Sequence, residues 1–587
     1  MRSSARIVFN LVDVTAKTDG QYTVNTKFQY SNLNFLDTDK NYETKKYATC
    51  EENLFLLDGS FALMDNPNEK EFCYWSNELS DEKGKFKTSP TITRQFSQNH
   101  SSAGITLNFD ENYQLPLKIK ISLYDFQKVM LNQITVSPDK WYNYFIPLKT
   151  ENYQLMTIEF IETKPYQYAR VKRITYGQIL EYSDKADKNL SLAEILESVD
   201  MYSIEVPINT STAKIIDTDQ LFNITNPEGL YSMLQERQKV EFYEKLSNES
   251  SERLMAVHYI KEWKTENGNT STFNCQDILG VMDGGSFKGN LYSNVPASAI
   301  IKEIMDDFGW TEYVLDEQLG SVKLSGIIKP CTHREAIQQV MFAISGSVNT
   351  TRGEQIIFKK VSKNKETIIT NDREYLNPQY IITQTDLISG VEVIAHNYKK
   401  DKELSEAYSA TLESGTYEVQ FSYPFEKSTL EATGCTIISS GFFYALIDVP
   451  KGTEVTINGY KYTDYTSLYS VQMENIPPGT KPKVNQVSEA TLVSKSNARI
   501  VARNLYEYYQ YRLSHSLSII AVDERVGTFN QIQTPNGDMT TILINTMKLK
   551  LTNGFTANVE GLGYALKVLE YLYTGKELIA GEKWGVI

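Results

Sequence analysis

Leu324-Ser325-Gly326-Ile327-Ile328-Lys329-Pro330-Cys331-Thr332-His333-Arg334-Glu335-Ala336-Ile337-Gln338-Gln339-Val340-Met341-Phe342-Ala343-Ile344 is the stretch on which the fold turns. Within it Ala336, Ile337, Val340 and Met341 recur at helical spacing, which predicts a helix from about His333 to Ile344. His333-Arg334-Glu335-Ala336 invites a catalytic reading. At a helix start, however, Glu335 sits near the positive end of the helix and Arg334 is free for an ion pair. Upstream, Ile300, Ile301, Ile304, Met305 and Phe308 predict a second helix over Ser298–Phe308, with Gly309 as its stop. Downstream, Gln355–Lys360 returns to strand character.

Farther out the chain is β-rich. Residues 1 to about 180 alternate apolar and polar in short runs: Ile105–Phe109, Ile119–Leu123 and Met156–Phe160. They predict two sheets packed face to face, a sandwich or jelly roll. The polar stretch Ser183–Asn189 ends that unit, and Leu192–Val199 is expected as a short helix or linker. Ile204–Ile208, Glu236–Tyr243 and Leu254–Trp263 read as strands. Residues 390–490 are β- and turn-rich, punctuated by Gly415, Gly434, Gly441, Gly452 and Gly459. Asn497–Leu513 is the longest predicted helix, with Ile500, Ala502, Leu505, Tyr508, Tyr509 and Leu513 on its apolar face. Strands then run to about Val559, and Leu566–Tyr573 is left open between strand and helix.

The chain has 587 residues, too many for one core, so several domains are expected. An apolar share of 41% and a charged share of 22% fit a globular protein rather than a disordered one. A net charge of −14 argues against nonspecific nucleic-acid binding, which needs a basic surface. The abundance of tyrosine (38, against 5 Trp) suits sheets and broad interfaces. Cys50, Cys73, Cys275, Cys331 and Cys435 are scattered and odd in number, so buried free thiols in a reducing cytoplasm are expected. No signal peptide and no transmembrane run are read, which predicts synthesis in the cytoplasm and release by lysis or within a particle.

Motifs for chemistry are scarce. His100, His258, His333, His396 and His515 have no second His or Cys at ligand spacing, and no metal or cofactor is predicted. Asp283-Gly284-Gly285-Ser286-Phe287-Lys288-Gly289 lacks the ending of a phosphate loop and is expected as a tight turn. His100-Ser101-Ser102 could suggest a base and nucleophile, but neighbours on a strand point apart. The adjacent acids Glu51-Glu52 and Asp81-Glu82 are expected on solvated surface. Phe55, Phe61, Tyr74, Trp75, Trp141, Tyr142 and Tyr144 either fill the sandwich core or present a stacking platform for sugar rings. Tyr74, Trp75, Trp141 and Tyr142 are the candidate glycan-binding residues.

Several segments together resemble a known family. Phe222-Asn223-Ile224-Thr225-Asn226-Pro227-Glu228-Gly229, Arg237–Glu241, Phe273–Asp283, the opening stretch 324–344 and Leu551–Val559 resemble tail hub proteins of phages and prophages of Gram-positive bacteria. In that family the stretch equivalent to 324–344 leads a strand into a helix. Phe55–Ser60, Tyr74–Ser76, His100–Ile105 and Lys164–Tyr168 resemble a β-sandwich module fused ahead of hubs in clostridial prophages and phage-tail-like bacteriocins.

The resemblance implies a mainly β, multidomain chain with minor α. Its expected units are a sandwich over 1–180, a linker over 181–203, part of a first tube-like barrel over 204–272 and an α+β hub domain over 273–388. A β-rich barrel or insert over 389–495 follows, then a helix and the closing strands of a second tube-like barrel over 496–587. It further implies a non-enzymatic homotrimeric ring, with three chains presenting a pseudo-sixfold face. The implied partners are the tail tube or its initiator protein, a central spike or tip protein and neighbouring baseplate or wedge proteins. The sandwich admits a second role, adhesion to bacterial cell-wall glycan. A cell-wall hydrolase is the third reading, disfavoured because the chain stops at Ile587, soon after the last hub-like strand.

Overall fold

The computed structural model describes residues 3–28, 31–37, 46–52, 54–56, 58–63, 73–186, 188–226, 230, 238–247, 249–374, 380–474, 476 and 481–564. The expectations for 227–229, 236–237 and Leu566–Tyr573 fall outside them.

The protein is mainly β with few helices. The N-terminal sandwich holds α1 (Val14–Thr18), β2 (Gln21–Val24), β3 (Tyr74–Trp75), β4 (Thr91–Asn108), β5 (Lys118–Tyr124), β6 (Met130–Val136), β7 (Tyr144–Glu162) and β8 (Arg170–Val171). β2, β4, β7, β5 and β6 are hydrogen-bonded in that order. Alternation puts Ile105, Leu107, Ile119, Ile121, Leu123, Met156, Ile158 and Phe160 in one core, as the period-two pattern predicts.

β1 (Ser3–Val12) lies outside that sandwich, because it pairs with β12 (Lys239–Leu246) on one side and with β9 (Arg173–Ser183) on the other. β9 serves both units: Arg173–Tyr176 pair with β4 and Gly177–Ser183 pair with β1. From β12 the ladder continues through β13 (Arg253–Glu266), β14 (Thr270–Gln276), β11 (Thr210–Ile216) and β10 (Leu190–Ser198). The expected linker or helix over 192–199 is therefore strand β10. Ala193 and Ile195 enter the core while Ser191 and Glu194 do not, an alternation hidden by the charges on the solvent face. Ile204–Ile208, by contrast, is not a strand. Pro207 has no amide hydrogen to donate, and the carbonyls of Ile204 and Val206 accept from the Gln338 and Arg334 side chains.

The α+β unit contains α2 (Ile278–Asp283), β15 (Asn290–Pro296), α3 (Ala297–Phe308), β16 (Tyr313–Leu315), α4 (Glu317–Gly320), β17 (Lys323–Ile328), α5 (His333–Ala343), β18 (Ser347–Asn349) and β19 (Ile356–Lys359). Both predicted helices form. Gly309, at φ +80°, ends α3, and a capping box of Thr332 and Glu335 starts α5. Arg334 makes the expected ion pair, its Nε 2.8 Å from Asp283 Oδ1.

β20 (Lys365–Ile369) and β21 (Ile381–Gln384) leave this unit and join the second large sheet. Inside 389–495, β22 (Gly390–Ala395), β29 (Ser467–Gln472) and β30 (Val484–Val487) pack on the α+β core, together with α6 (Ala498–Tyr508). The intervening β23 (Tyr398–Leu412), β24 (Gly415–Gln420), β25 (Glu431–Thr433), β26 (Thr436–Ser440), β27 (Tyr444–Val449) and β28 (Thr453–Asp464) form an insert with its own small core. α6 is shorter than predicted and buries Ala498, Val501, Ala502 and Leu505, leaving Ile500 60% exposed. Leu513 already belongs to β31 (Leu513–Ile520), where backbone pairing to both β21 and β34 (Thr556–Gly563) outcompetes another helical turn.

The second sheet runs β21, β31, β34, β33 (Met539–Lys550), β32 (Thr528–Gln533), β20. On one edge of β33, residues 539–544 pair with β32 and residues 546–550 pair with β10. In place of the two expected tube-like barrels, two open sheets are joined through one strand and share one hydrophobic core. Their pairings form a branched ladder, and neither half returns to its own first strand among the described residues.

Candidate functional site

The histidines are committed to structural contacts. His100 is buried between two carboxylates, with Nδ1 2.9 Å from Asp13 and Nε2 3.0 Å from Asp19. Asp13 caps α1 and Asp19 follows it, so the imidazole pins that helix to β4. Its sequence neighbours Ser101 and Ser102 play no part, as the strand geometry predicts. His333 meets Asp307 at 2.9 Å, His396 meets Asp464 at 2.7 Å and His515 meets the Tyr380 hydroxyl at 2.8 Å. No group of three or more His, Cys, Asp or Glu that could hold a metal occurs among the described residues.

One constellation escaped the linear reading because its members lie on three strands. Ser211 on β11 faces Cys275 on β14 across the ladder, and its Oγ is 2.8 Å from His258 Nδ1 on β13. A thiol, a hydroxyl and an imidazole side by side have the composition of a nucleophile and base, but their environment opposes the chemistry. Burial pushes the His258 imidazole down to about 3 and the Cys275 thiol up to about 12. Near neutral pH both are uncharged, and the thiolate such catalysis needs is not formed.

His258 carries a testable consequence. Its folded value lies below the ordinary 6.5 of a histidine, so protons bind the unfolded chain preferentially. Its contribution is intact above about pH 6.5 and declines as pH falls toward 3. The expected loss at pH 5 is about 2 kcal/mol relative to neutral pH. Urea titrations at pH 5 and 7.5 should show that difference, and His258→Gln should remove it; an unchanged slope in the variant would assign the effect to other groups.

The predicted glycan residues do not assemble into one platform. Tyr74 is buried and stacks on Phe160 with ring centroids 5.8 Å apart. Trp75 is buried beside Tyr113 and Tyr168. The Arg170 guanidinium lies 3.9 Å from the Trp75 ring and 3.8 Å from the Tyr113 ring, and pairs with Glu51. Glu51 is thus a buried counter-ion rather than solvated surface. Asp81 keeps to the exterior, accepting the amides of Lys83 and Lys85 in a turn. Trp141 is half-exposed, its Nε1 donating to the Tyr113 carbonyl at 2.9 Å. Tyr142, next in sequence, lines a cleft that Trp141 does not reach. Of the cysteines, Cys73 and Cys275 are buried, Cys331 and Cys435 half-buried, and Cys50 exposed against expectation.

What the fold does concentrate is interdomain contact. The loop between β31 and β32 is held by three arginines from separate parts of the chain. Arg253 on β13 donates to the Val522 carbonyl at 3.0 Å while pairing with the fully buried Glu244. Arg373 bonds Glu524 at 2.6 Å and the Ile520 carbonyl at 2.8 Å. Arg352, in the turn between β18 and β19, grips Glu197 of β10 with two bonds of 2.7 and 3.1 Å, and its Nη2 reaches the Glu524 carbonyl at 3.4 Å. Nearby Asp277 caps α2 and accepts from Thr350 Oγ1 at 2.6 Å and the Asn209 amide at 3.1 Å. Burial lifts its carboxyl to about 6. The α+β unit is thereby fastened to the point where the two sheets fuse.

A cleft of about 590 Å³ opens where the sandwich, the first sheet and the α+β unit meet. Its floor is the outward face of β9, β1 and β12, with Ile179, Val8 and Tyr243 among its residues. Tyr142 and Asn143 form one wall, and Trp310 and Glu354 line it from the α+β unit.

The class defined by these features is a multidomain, mainly β protein built on two fused sheets. No protein-family description matches the sequence, and no curated protein does. Solved structures do align. A 43 kDa tail protein of prophage MuSo2 from Shewanella oneidensis covers 65% of this chain and 95% of its own, at 9% identity and TM-score 0.39. A tail protein from Neisseria meningitidis MC58 covers 65% and 93%, at 9% identity and TM-score 0.38. A prophage tail protein from Listeria monocytogenes EGD-e covers 65% and 91%, at 11% identity and TM-score 0.37.

Proposed function

We propose that the chain is a structural, non-enzymatic hub subunit at the tip of a phage-type tail or tail-like particle. Three copies form a ring that joins the tail tube to a central spike or tip protein. The observation that carries this reading is the fusion of two sheets on β33, with β10 and β32 end to end along one edge. One chain then offers two barrel-like units side by side, and three chains offer six, the number a six-fold tube requires. Of the hub-like sequence segments, 324–344 supplies β17 and α5 of the α+β unit, and 551–559 supplies the turn and start of β34 in the second sheet.

Buried arginine latches between units suit a subunit that must hold shape under load, since a rigid ring cannot tolerate free domain motion. The sandwich is tied in by β9 rather than hung on a linker, so it moves with the ring. The adhesion reading loses its original platform, because Tyr74 and Trp75 fill cores. Purified particles from the producing cell test the proposal. The chain should copurify with the tube, and antibody against the sandwich should label one end of it. Absence from intact particles would remove the proposal.

A further inference from the structure

We infer that the three-walled cleft is a binding site for a neutral oligosaccharide, one that shares only Tyr142 with the four aromatic residues expected from the sequence. The inference does not depend on where the chain sits in a particle.

Charge disfavours the anionic and cationic classes. Five cationic and five anionic side chains line the cleft, so their formal charges balance, and Arg6 and Lys239 are already paired. Arg6 bonds Glu252 at 2.6 Å and lies 3.3 Å from Glu181, while Lys239 bonds Glu354 at 2.8 Å and lies 3.4 Å from Glu241. A charged ligand drawn to Arg6 or Lys239 would have to break pairs that the protein has already made.

The aromatic residues then define what remains. Tyr243 donates its hydroxyl to Glu241 at 3.0 Å, Tyr259 to Glu354 at 3.0 Å, and Trp310 its Nε1 to the Glu312 carbonyl at 3.0 Å. Tyr142 is likewise bonded to Glu111. With their polar ends occupied, these side chains contribute ring surface to the cleft, and Tyr142 is 47% exposed at its wall. Ring surface interleaved with fixed carboxylates and amides matches a sugar, which has apolar C–H faces and polar edges.

Two buried atoms point the same way. Asn143 uses its amide nitrogen on Glu181 at 2.8 Å and its backbone N–H on Asn108 at 2.7 Å, which leaves Oδ1 without a partner. Arg173 Nε is also unpartnered. An orphaned acceptor and an orphaned donor beside one cleft carry an energetic cost that a hydroxyl, itself both donor and acceptor, removes. The volume lies within the range of about 300–1,000 Å³ usual for small-molecule sites.

The test uses the full chain and four probes: the neutral tetramer of N-acetylglucosamine, maltotetraose, anionic polyglycerol phosphate and tetra-alanine. Binding is read by saturation-transfer NMR and tryptophan fluorescence. Saturable binding of at least one neutral oligosaccharide is expected, weakened about tenfold by Tyr142→Ala. Asn10→Trp, which fills the floor, should abolish it, and thermal unfolding checks that both variants fold. No saturable binding of either oligosaccharide overturns the inference. So does binding that survives both substitutions, or binding confined to the polyanion or the peptide.

Discussion

Arg352→Ala is expected to remove about 3–5 kcal/mol from the stability of the fused-sheet unit, because it strands a carboxylate that has no access to water. Glu197 is 1% exposed, and burial holds its carboxyl above the ordinary range while Arg352 opposes that shift. Removing the guanidinium leaves desolvation uncompensated and breaks the contact with the Glu524 carbonyl. The consequence should be local before it is global. Limited proteolysis ought to open at the β18–β19 turn and the β31–β32 loop, since both lose the same clamp. The double variant Glu197→Met with Arg352→Met removes both charges and should restore most of the stability, because a buried ion pair often does no better than a packed apolar one. Chemical denaturation of the three variants forms the cycle. A single variant costing under about 1 kcal/mol would mean that the pair is solvated and does not fasten the units.

The second large effect is expected at Gly177. There β9 changes partners: Tyr176 faces Ile105 of the sandwich, and Gly177 faces Val12 of β1. Its φ is +139°, and an added Cβ would stand 2.1 Å from the Leu11 carbonyl oxygen. That neighbour is backbone inside a ladder, so it cannot swing aside. Gly177→Ala should cost about 2–5 kcal/mol from strain and overpacking together. It should also split one melting transition into two, as the sandwich and the first sheet lose their shared strand. Gly452→Ala, whose nearest contacts are ordinary at 3.7 Å, serves as the control and should be near neutral. A Gly177→Ala protein that melts in one unshifted transition would show that the strand does not couple the units.

The same residues explain how much of the molecule was legible in its sequence. Helices α3 and α5 were readable because apolar spacing, a glycine stop and the run around His333 all agreed locally. The sandwich was readable from alternation along β4, β5 and β7. Chain order, however, does not say which strand pairs with which. β1 reads like any other strand of the first 180 residues, yet its partners are β9 and β12, so the sandwich boundary at 180 cuts through a shared ladder. β10 reads as a linker or short helix in the sequence because the charges of Glu194 and Glu197 mask the inward alternation of Ala193 and Ile195. Glu197 itself is buried against Arg352, a residue 155 positions away.

For the candidate site the lesson is sharper. An aromatic run shows burial capacity but not direction. Trp75 and Tyr142 carried the same expectation, and the fold sends one into a core beside Arg170 and the other to a cleft. The cleft draws Arg6, Tyr243 and Trp310 from distant positions, and nothing in their local sequence announces it. The capping box of Thr332 and Glu335 emerged only in the structure, although its Thr-x-x-Glu spacing stands in the sequence ahead of an apolar run.

The central claim is that this chain forms the ring beneath the tail tube. Cryo-electron microscopy of particles from the producing cell, averaged at the tube tip with this chain located and counted, tests it most directly. The account predicts three copies around the tube axis, with the two fused sheets of each chain contacting successive tube subunits. Six copies in a peripheral position, away from the tube axis, would contradict it and assign the chain to a wedge or receptor-binding role instead.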